Sequence, residues 1–222
     1  MVDYYLAIAK ALGDSGEDRS LELEIDPDDR DRLLDRLPEI RRATGPVVVI
    51  VPGGAFGPSK CWPPDRFARA ADWLIEQCRA AVVISVSPNS EERLIGDRIL
   101  EHSRHSLIHL GRRPLTLGQL KALLARADLV ITNDTGPRHM AIALKRKVIT
   151  LFGPNDPAWT ETGWPDEVKL IGKAPCAPCQ RPTCKAARLY CMESIGLEDV
   201  CQAAERALGL TQNSELRSQK PE

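Results

Sequence analysis

The chain repeats one local pattern: a short, continuously apolar run, then a longer segment with apolar residues at helical spacing. Val47–Val51 and Ala81–Val86 lack polar alternation, which marks strands buried on both faces of a parallel sheet. Between them, Asp65–Gln77 puts Phe67, Ala70, Ala71 and Leu74 on one helical face. The alternation continues with a helix over Glu91–Glu101, a short strand over Ser106–His109, a helix over Leu117–Arg126 and a strand over Leu129–Thr132. A further helix precedes a strand at Val148–Phe152. Such alternation predicts an α/β fold, a doubly wound parallel sheet whose ligands sit beyond the C-terminal ends of its strands.

The flanks are less regular. Met1–Gly13 reads as a short helix, because Asp3 and Lys10 interrupt the apolar run and no cleavage pattern of small residues follows. Leu21–Ile25 reads as a strand, and Asp26–Thr44 as a helix with Leu33, Leu34, Leu37 and Ile40 on one face, broken or kinked at Pro38. Val168–Ile171 is expected as a strand, Leu197–Leu208 as an amphipathic helix, and Thr211–Glu222 as a disordered tail. No apolar stretch approaches the roughly 20 residues that span a bilayer.

Two of the predicted strands run into turns suited to an anion. After Val51 comes Pro52-Gly53-Gly54-Ala55-Phe56-Gly57-Pro58-Ser59-Lys60, a glycine-rich loop carrying one lysine. After Thr132 comes Asn133-Asp134-Thr135-Gly136-Pro137-Arg138-His139, leading into a helix. Helix N-termini present unpaired N–H groups, and glycine lets an anion approach the backbone. A mobile lysine adds charge. Two such turns at one sheet edge predict one ligand, a phosphate or diphosphate. The formal net charge of -1 argues against nucleic acid or an anionic membrane as the main partner, so anion binding must be local.

Four ordered motifs, Pro52–Pro63, Asn133–Ala141, Leu151-Phe152-Gly153-Pro154 and Cys176-Ala177-Pro178-Cys179 through Cys191-Met192, make the chain resemble glycosyltransferase family 9, in particular its ADP-heptose:lipopolysaccharide heptosyltransferases. The resemblance implies the C-terminal, donor-binding half of a GT-B enzyme. Residues 1–20 then correspond to a remnant helix and linker of an N-terminal acceptor domain, and residues 21–210 to the Rossmann-like nucleotide-sugar domain. It implies transfer of heptose from ADP-heptose to the lipopolysaccharide inner core with inversion, without a metal. The catalytic base belongs to the acceptor half, so no catalytic residue is assigned here, and that half is expected from a missing domain or a separate chain. A cytoplasmic location follows, with peripheral association at the inner membrane. By motif, Lys60 resembles the lysine at the donor phosphates, and Asp134, Thr135 and Gly136 match the nucleotide-sugar segment. Glu91, or its neighbour Glu92, resembles an acidic residue near the nucleoside, and His139 follows one turn after Gly136. Cys61 stands where the family usually has arginine.

Cys176, Cys179, Cys184 and Cys191 form C-x2-C-x4-C-x6-C, a spacing able to hold zinc or an iron–sulfur cluster. The resemblance implies instead a structural loop. Two other readings stay beside the transferase: a non-catalytic nucleotide-sugar-binding module left by domain loss, and an interaction module built on the cysteines.

Overall fold

In the computed structural model, which describes residues 2–210, six strands form one parallel sheet. They are β1 (Val47–Val51), β2 (Ala81–Ile84), β3 (Ile108–His109), β4 (Leu129–Asn133), β5 (Val148–Phe152) and β6 (Glu167–Ile171). The order β3-β2-β1-β4-β5-β6 means that the chain builds outward from β1, then returns to the centre. There β4 joins the free side of β1, with Val48 opposite Leu129 and Val51 opposite Thr132. Reversal of direction opens a crevice beyond β1 and β4, the switch point where doubly wound sheets take ligands.

The helices are α1 (Val2–Ala11), α2 (Pro27–Arg36), α3 (Pro38–Arg41), α4 (Pro64–Cys78), α5 (Ser90–His102), α6 (Leu117–Arg126), α7 (Gly136–Ala143), α8 (Tyr190–Glu193) and α9 (Leu197–Leu208). Strand side chains sort by alternation. Val48 and Ile50 join Phe67, Leu74 and Val200 from α4 and α9, while Val47, Val49 and Val51 join Leu33, Leu123 and Ile142 from α2, α6 and α7. All five residues of β1 are buried, each such side chain worth about 1.5–3 kcal/mol on removal from water. Pro38 ends one helix and opens the next, as its missing N–H and fixed φ require. Thr116 and Gln119 close a capping box at the start of α6, with bonds of 3.1 Å each way.

The strand expected at Leu21–Ile25 does not form. Leu21 and Ile25 pack on the α2–α6 side, and the carbonyls of Leu21 and Glu24 accept from Lys145 and Lys121 rather than from a neighbouring strand. Helix α1 has no buried residue, and Tyr4, Tyr5, Ile8 and Leu12 are exposed. The tail expected at Thr211–Glu222 lies outside the described residues.

Candidate functional site

Beyond β1 the chain passes Pro52–Gly57 and enters a short 3-10 turn at Pro58–Lys60. Gly57 has φ +139°, and a Cβ there would lie 2.5 Å from the Pro182 carbonyl oxygen, so glycine is required. Ser59 fixes the turn by donating from Oγ to the Arg181 carbonyl at 2.5 Å and from its amide to the Pro182 carbonyl at 3.1 Å. Trp62 anchors the following segment, its indole donating to the Ile195 carbonyl at 3.1 Å and its ring meeting Phe67 edge-on at 5.0 Å. Such an aromatic pair adds roughly 0.5–1.5 kcal/mol beyond area burial.

This scaffold holds Lys60 at 5% exposure. Its Nζ donates to the Asp134 carbonyl at 2.6 Å and lies 5.2 Å from the centre of the Phe56 ring. Burial pushes the ammonium pKa down, against the weaker pull of Asp134, Cys61 and Glu92. Among the described residues no carboxylate is ion-paired with Lys60. A buried cation so placed is stabilised by an incoming anion. The neighbouring Cys61 thiol, pushed up to about 11 by burial, is protonated at neutral pH and brings no charge to the site.

The turn after β4 is laced to the first. Asn133 Nδ2 donates to the carbonyls of Pro52 at 2.7 Å and Gly53 at 3.3 Å. Asp134 turns its carboxylate inward, where it accepts from Arg138 Nη1 at 3.2 Å, Thr160 Oγ1 at 3.0 Å and Asn155 Nδ2 at 3.0 Å. The N-cap of α7 is therefore Thr135, and its side chain makes no capping bond. Pro137 has no N–H and the Arg138 amide donates to the Thr135 carbonyl at 3.0 Å, so the open donors at this positive dipole end are the Thr135 and Gly136 amides, and nothing lies within 4 Å of a Cβ built on Gly136.

A cavity of about 390 Å³ fills the crevice. Its lining combines Gly53, Gly54, Thr135 and Gly136, where backbone amides are accessible, with the apolar side chains of Val86, Leu110, Leu115 and Leu120. Glu92 lines it, with Oε2 accepting from the Ser87 amide at 2.9 Å. Glu91 does not: it is exposed in the first turn of α5, its amide capped by Asn89 at 2.7 Å. The carboxylate at the cavity is thus the second of the pair, carried inward by the helix rotation of about 100° per residue. His139 is half-buried and off the cavity lining, and burial together with the Arg138 charge holds its imidazole below 6.5 and neutral at pH 7.

A larger cleft of about 620 Å³ opens at the opposite sheet edge, beside Arg126, Lys145, Arg146 and Lys147. Its charges are answered. Lys147 donates to the Ala207 carbonyl at 2.7 Å, Arg146 to the carbonyls of Leu144 at 2.9 Å and Ala125 at 3.3 Å, and Lys145 to that of Leu21 at 3.0 Å. Arg126 faces Asp128 at 3.5 Å.

The zinc or iron–sulfur reading of the four cysteines finds no support here. Cys176, Cys179, Cys184 and Cys191 line one small cavity of about 20 Å³, but all seven cysteines are free. Among the described residues no three or more His, Cys, Asp or Glu side chains are grouped to hold a metal ion. Burial, reinforced by Cys176 and Cys179, raises the Cys191 thiol. What the segment does is brace the glycine loop through the carbonyls of Arg181 and Pro182.

Sheet order and paired turns define a Rossmann-like α/β domain with a crevice at its switch point. Residues 1–189 match glycosyltransferase family 9 (heptosyltransferase), and the chain belongs to that family. It is 30% identical over 182 residues to the lipooligosaccharide heptosyltransferase 2 of Campylobacter jejuni, covering 81% of this chain and 55% of that protein. The lipopolysaccharide heptosyltransferase 2 of Escherichia coli is 30% identical over 118 residues, covering 52% of this chain and 33% of that one. A solved family 9 glycosyltransferase from Veillonella parvula superposes with a TM-score of 0.76 at 24% identity, over 94% of this chain and 60% of that one. The ADP-heptose lipopolysaccharide heptosyltransferase II of Escherichia coli superposes at 0.67 and 22%, over 86% and 54%. The chain therefore spans about half the length of such relatives. Among the described residues no helix is long and apolar enough to cross a membrane.

Proposed function

We propose that this chain is the donor-binding half of a heptosyltransferase, holding ADP-heptose while the sugar passes, with inversion, to the inner core of lipopolysaccharide. The observation that carries this reading is Lys60, a buried ammonium without a paired carboxylate, held between two glycine-containing turns. On this reading the diphosphate lies across Gly53, Gly54 and the Thr135-Gly136 amides, and the apolar side chains of the cavity take the nucleoside beside Glu92. When the glycosidic bond breaks, negative charge grows on the departing ADP. Lys60 and the open α7 amides stabilise that charge more in the transition state than in the ground state. This is the role a divalent cation plays in other transferases, so the proposed reaction uses no metal.

No group at the crevice is assigned to deprotonate the acceptor hydroxyl. That carboxylate is proposed to come with an acceptor domain, on a further domain or on a second chain, in the cytoplasm at the inner membrane face.

Isothermal titration of the purified chain with ADP, GDP and UDP, without added metal, tests the proposal. Selective ADP binding is expected, and failure to bind any nucleotide sinks it. Elemental analysis of the same preparation decides the zinc question at the four cysteines.

A further inference from the structure

We propose that Arg138 is a positioning residue for the nucleotide site, acting through Asp134 to hold the Asp134–Gly136 turn in its anion-binding shape and, shared with Glu167, to offset the carboxylate charge beneath it. The inference rests on the donor-binding reading and adds to it a residue that reading does not require. Arg138 has no exposed surface. Its Nε and Nη2 grip Glu167 of β6 at 2.6 and 3.0 Å, while Nη1 reaches Asp134 at 3.2 Å and the Thr160 carbonyl at 2.9 Å. One rigid fork therefore joins the turn after β4 to the edge strand, a geometry that a lysine does not reproduce.

Asp134 lies under the amides that would receive the phosphates, and an unanswered carboxylate there would repel them. At 8% exposure it needs a counter-charge, and Arg138 is its ion-pair partner among the described residues. Thr160 and Asn155 take up its remaining acceptor capacity. With the carboxylate fixed from below, the Asp134 carbonyl stands in place for Lys60 at 2.6 Å. Arg138 thus sets the amides directly and Lys60 at one remove. Glu167, which also accepts from Thr150 Oγ1 at 2.5 Å, keeps the arginine from swinging toward the crevice.

The test is titration of the full chain with ADP and with adenosine, which lacks the phosphates. We expect Arg138→Met to weaken ADP binding by about tenfold and leave adenosine unchanged. Arg138→Lys should fall between, because it keeps the charge and loses the fork. In an Asp134→Asn background the same Arg138→Met change should matter by less than about threefold, since the charge it answers has gone. Equal losses in both backgrounds, or a matching loss for adenosine, would reduce Arg138 to packing and overturn the proposal. Should Arg138→Met not fold, Arg138→Lys and Thr160→Val carry the test, and unchanged ADP affinity in both overturns it. If the wild-type chain binds no ADP, the donor-binding reading fails by itself. The positioning claim is then read from amide hydrogen exchange at Thr135 and Gly136 in the free protein. Faster exchange there in Arg138→Lys supports it, and unchanged exchange overturns it.

Discussion

Both edges of the sheet carry basic side chains near a cavity, with Lys145, Arg146 and Lys147 lining one and Lys60 set behind Gly54 of the other, and they use them differently. At the N-terminal edge, Lys147 and Arg146 end on carbonyls in the last turns of α9 and α6 and at the end of α7. There the helix dipoles are negative and the cations are consumed. At the C-terminal edge, Lys60 meets a single carbonyl, and the adjoining start of α7 offers donors instead of acceptors. Helix direction causes the difference, because in a doubly wound sheet the helices run antiparallel to the strands and their N-termini gather where the strands end. Lys60 differs from Lys147 in being buried and in standing beside a helix start instead of a helix end, which makes the smaller crevice the candidate site.

The comparison breaks most visibly at Lys60. Lys60→Ala should weaken ADP binding by about 10- to 100-fold, the range for loss of a hydrogen bond to a charged group, whereas Lys147→Ala should leave it unchanged. Equal effects of the two variants in calorimetry would erase the distinction between the edges. Asp134→Ala comes next, with ADP affinity down by about tenfold and a lowered unfolding midpoint, because Arg138 Nη1, Thr160 Oγ1 and Asn155 Nδ2 lose the carboxylate they donate to.

pH sharpens the same contrast. The buried Lys60 titrates below 10.5, so ADP affinity should decline as pH rises through that lowered value. Stability should move the other way: in this window the native chain binds fewer protons than the unfolded one, so the cost of burying Lys60 shrinks as pH rises toward 10.5. Titrations and denaturant midpoints at about pH 8 and about pH 10 should show opposite trends, both absent from Lys60→Ala. The smallest effect belongs to the far edge, where Lys147→Ala should cost about 0.3–1 kcal/mol by denaturant melt, the worth of a cation at a helix C-terminus.

Much of the fold was legible from the sequence because the strands are buried on both faces and cannot hide their pattern. Val47–Val51, Leu117–Arg126, Val148–Phe152 and Leu197–Leu208 have the bounds that their apolar patterns predict. Leu21–Ile25 misled because its alternation reflects packing beside α6, with lysine side chains taking the carbonyls that a ladder would have used. Within the site, the two turns were readable from glycine, lysine and strand ends. The choice between Glu91 and Glu92 was not, since it depends on where α5 begins to rotate its side chains inward. Arg138 went unnoticed although it lies four residues after Asp134, one helical turn away, because its other partner, Glu167, is distant in sequence. The four cysteines show the limit of spacing, which brings sulfurs to one cavity without fixing their directions.

The inward-facing Asp134 bears on protein engineering. Its carboxylate is met by Arg138 of α7 and by Asn155 and Thr160 beyond β5, and the arginine is in turn held by Glu167 of β6, 33 residues downstream of Asp134. A graft of Asn133–His139 into another sheet would carry Asp134 and Arg138 without Asn155, Thr160 and the Glu167 that holds the arginine, and would fold poorly or bind nothing. The smallest portable module is the run from β4 through β6, which brings Asn155, Thr160 and Glu167 along with the turn they support.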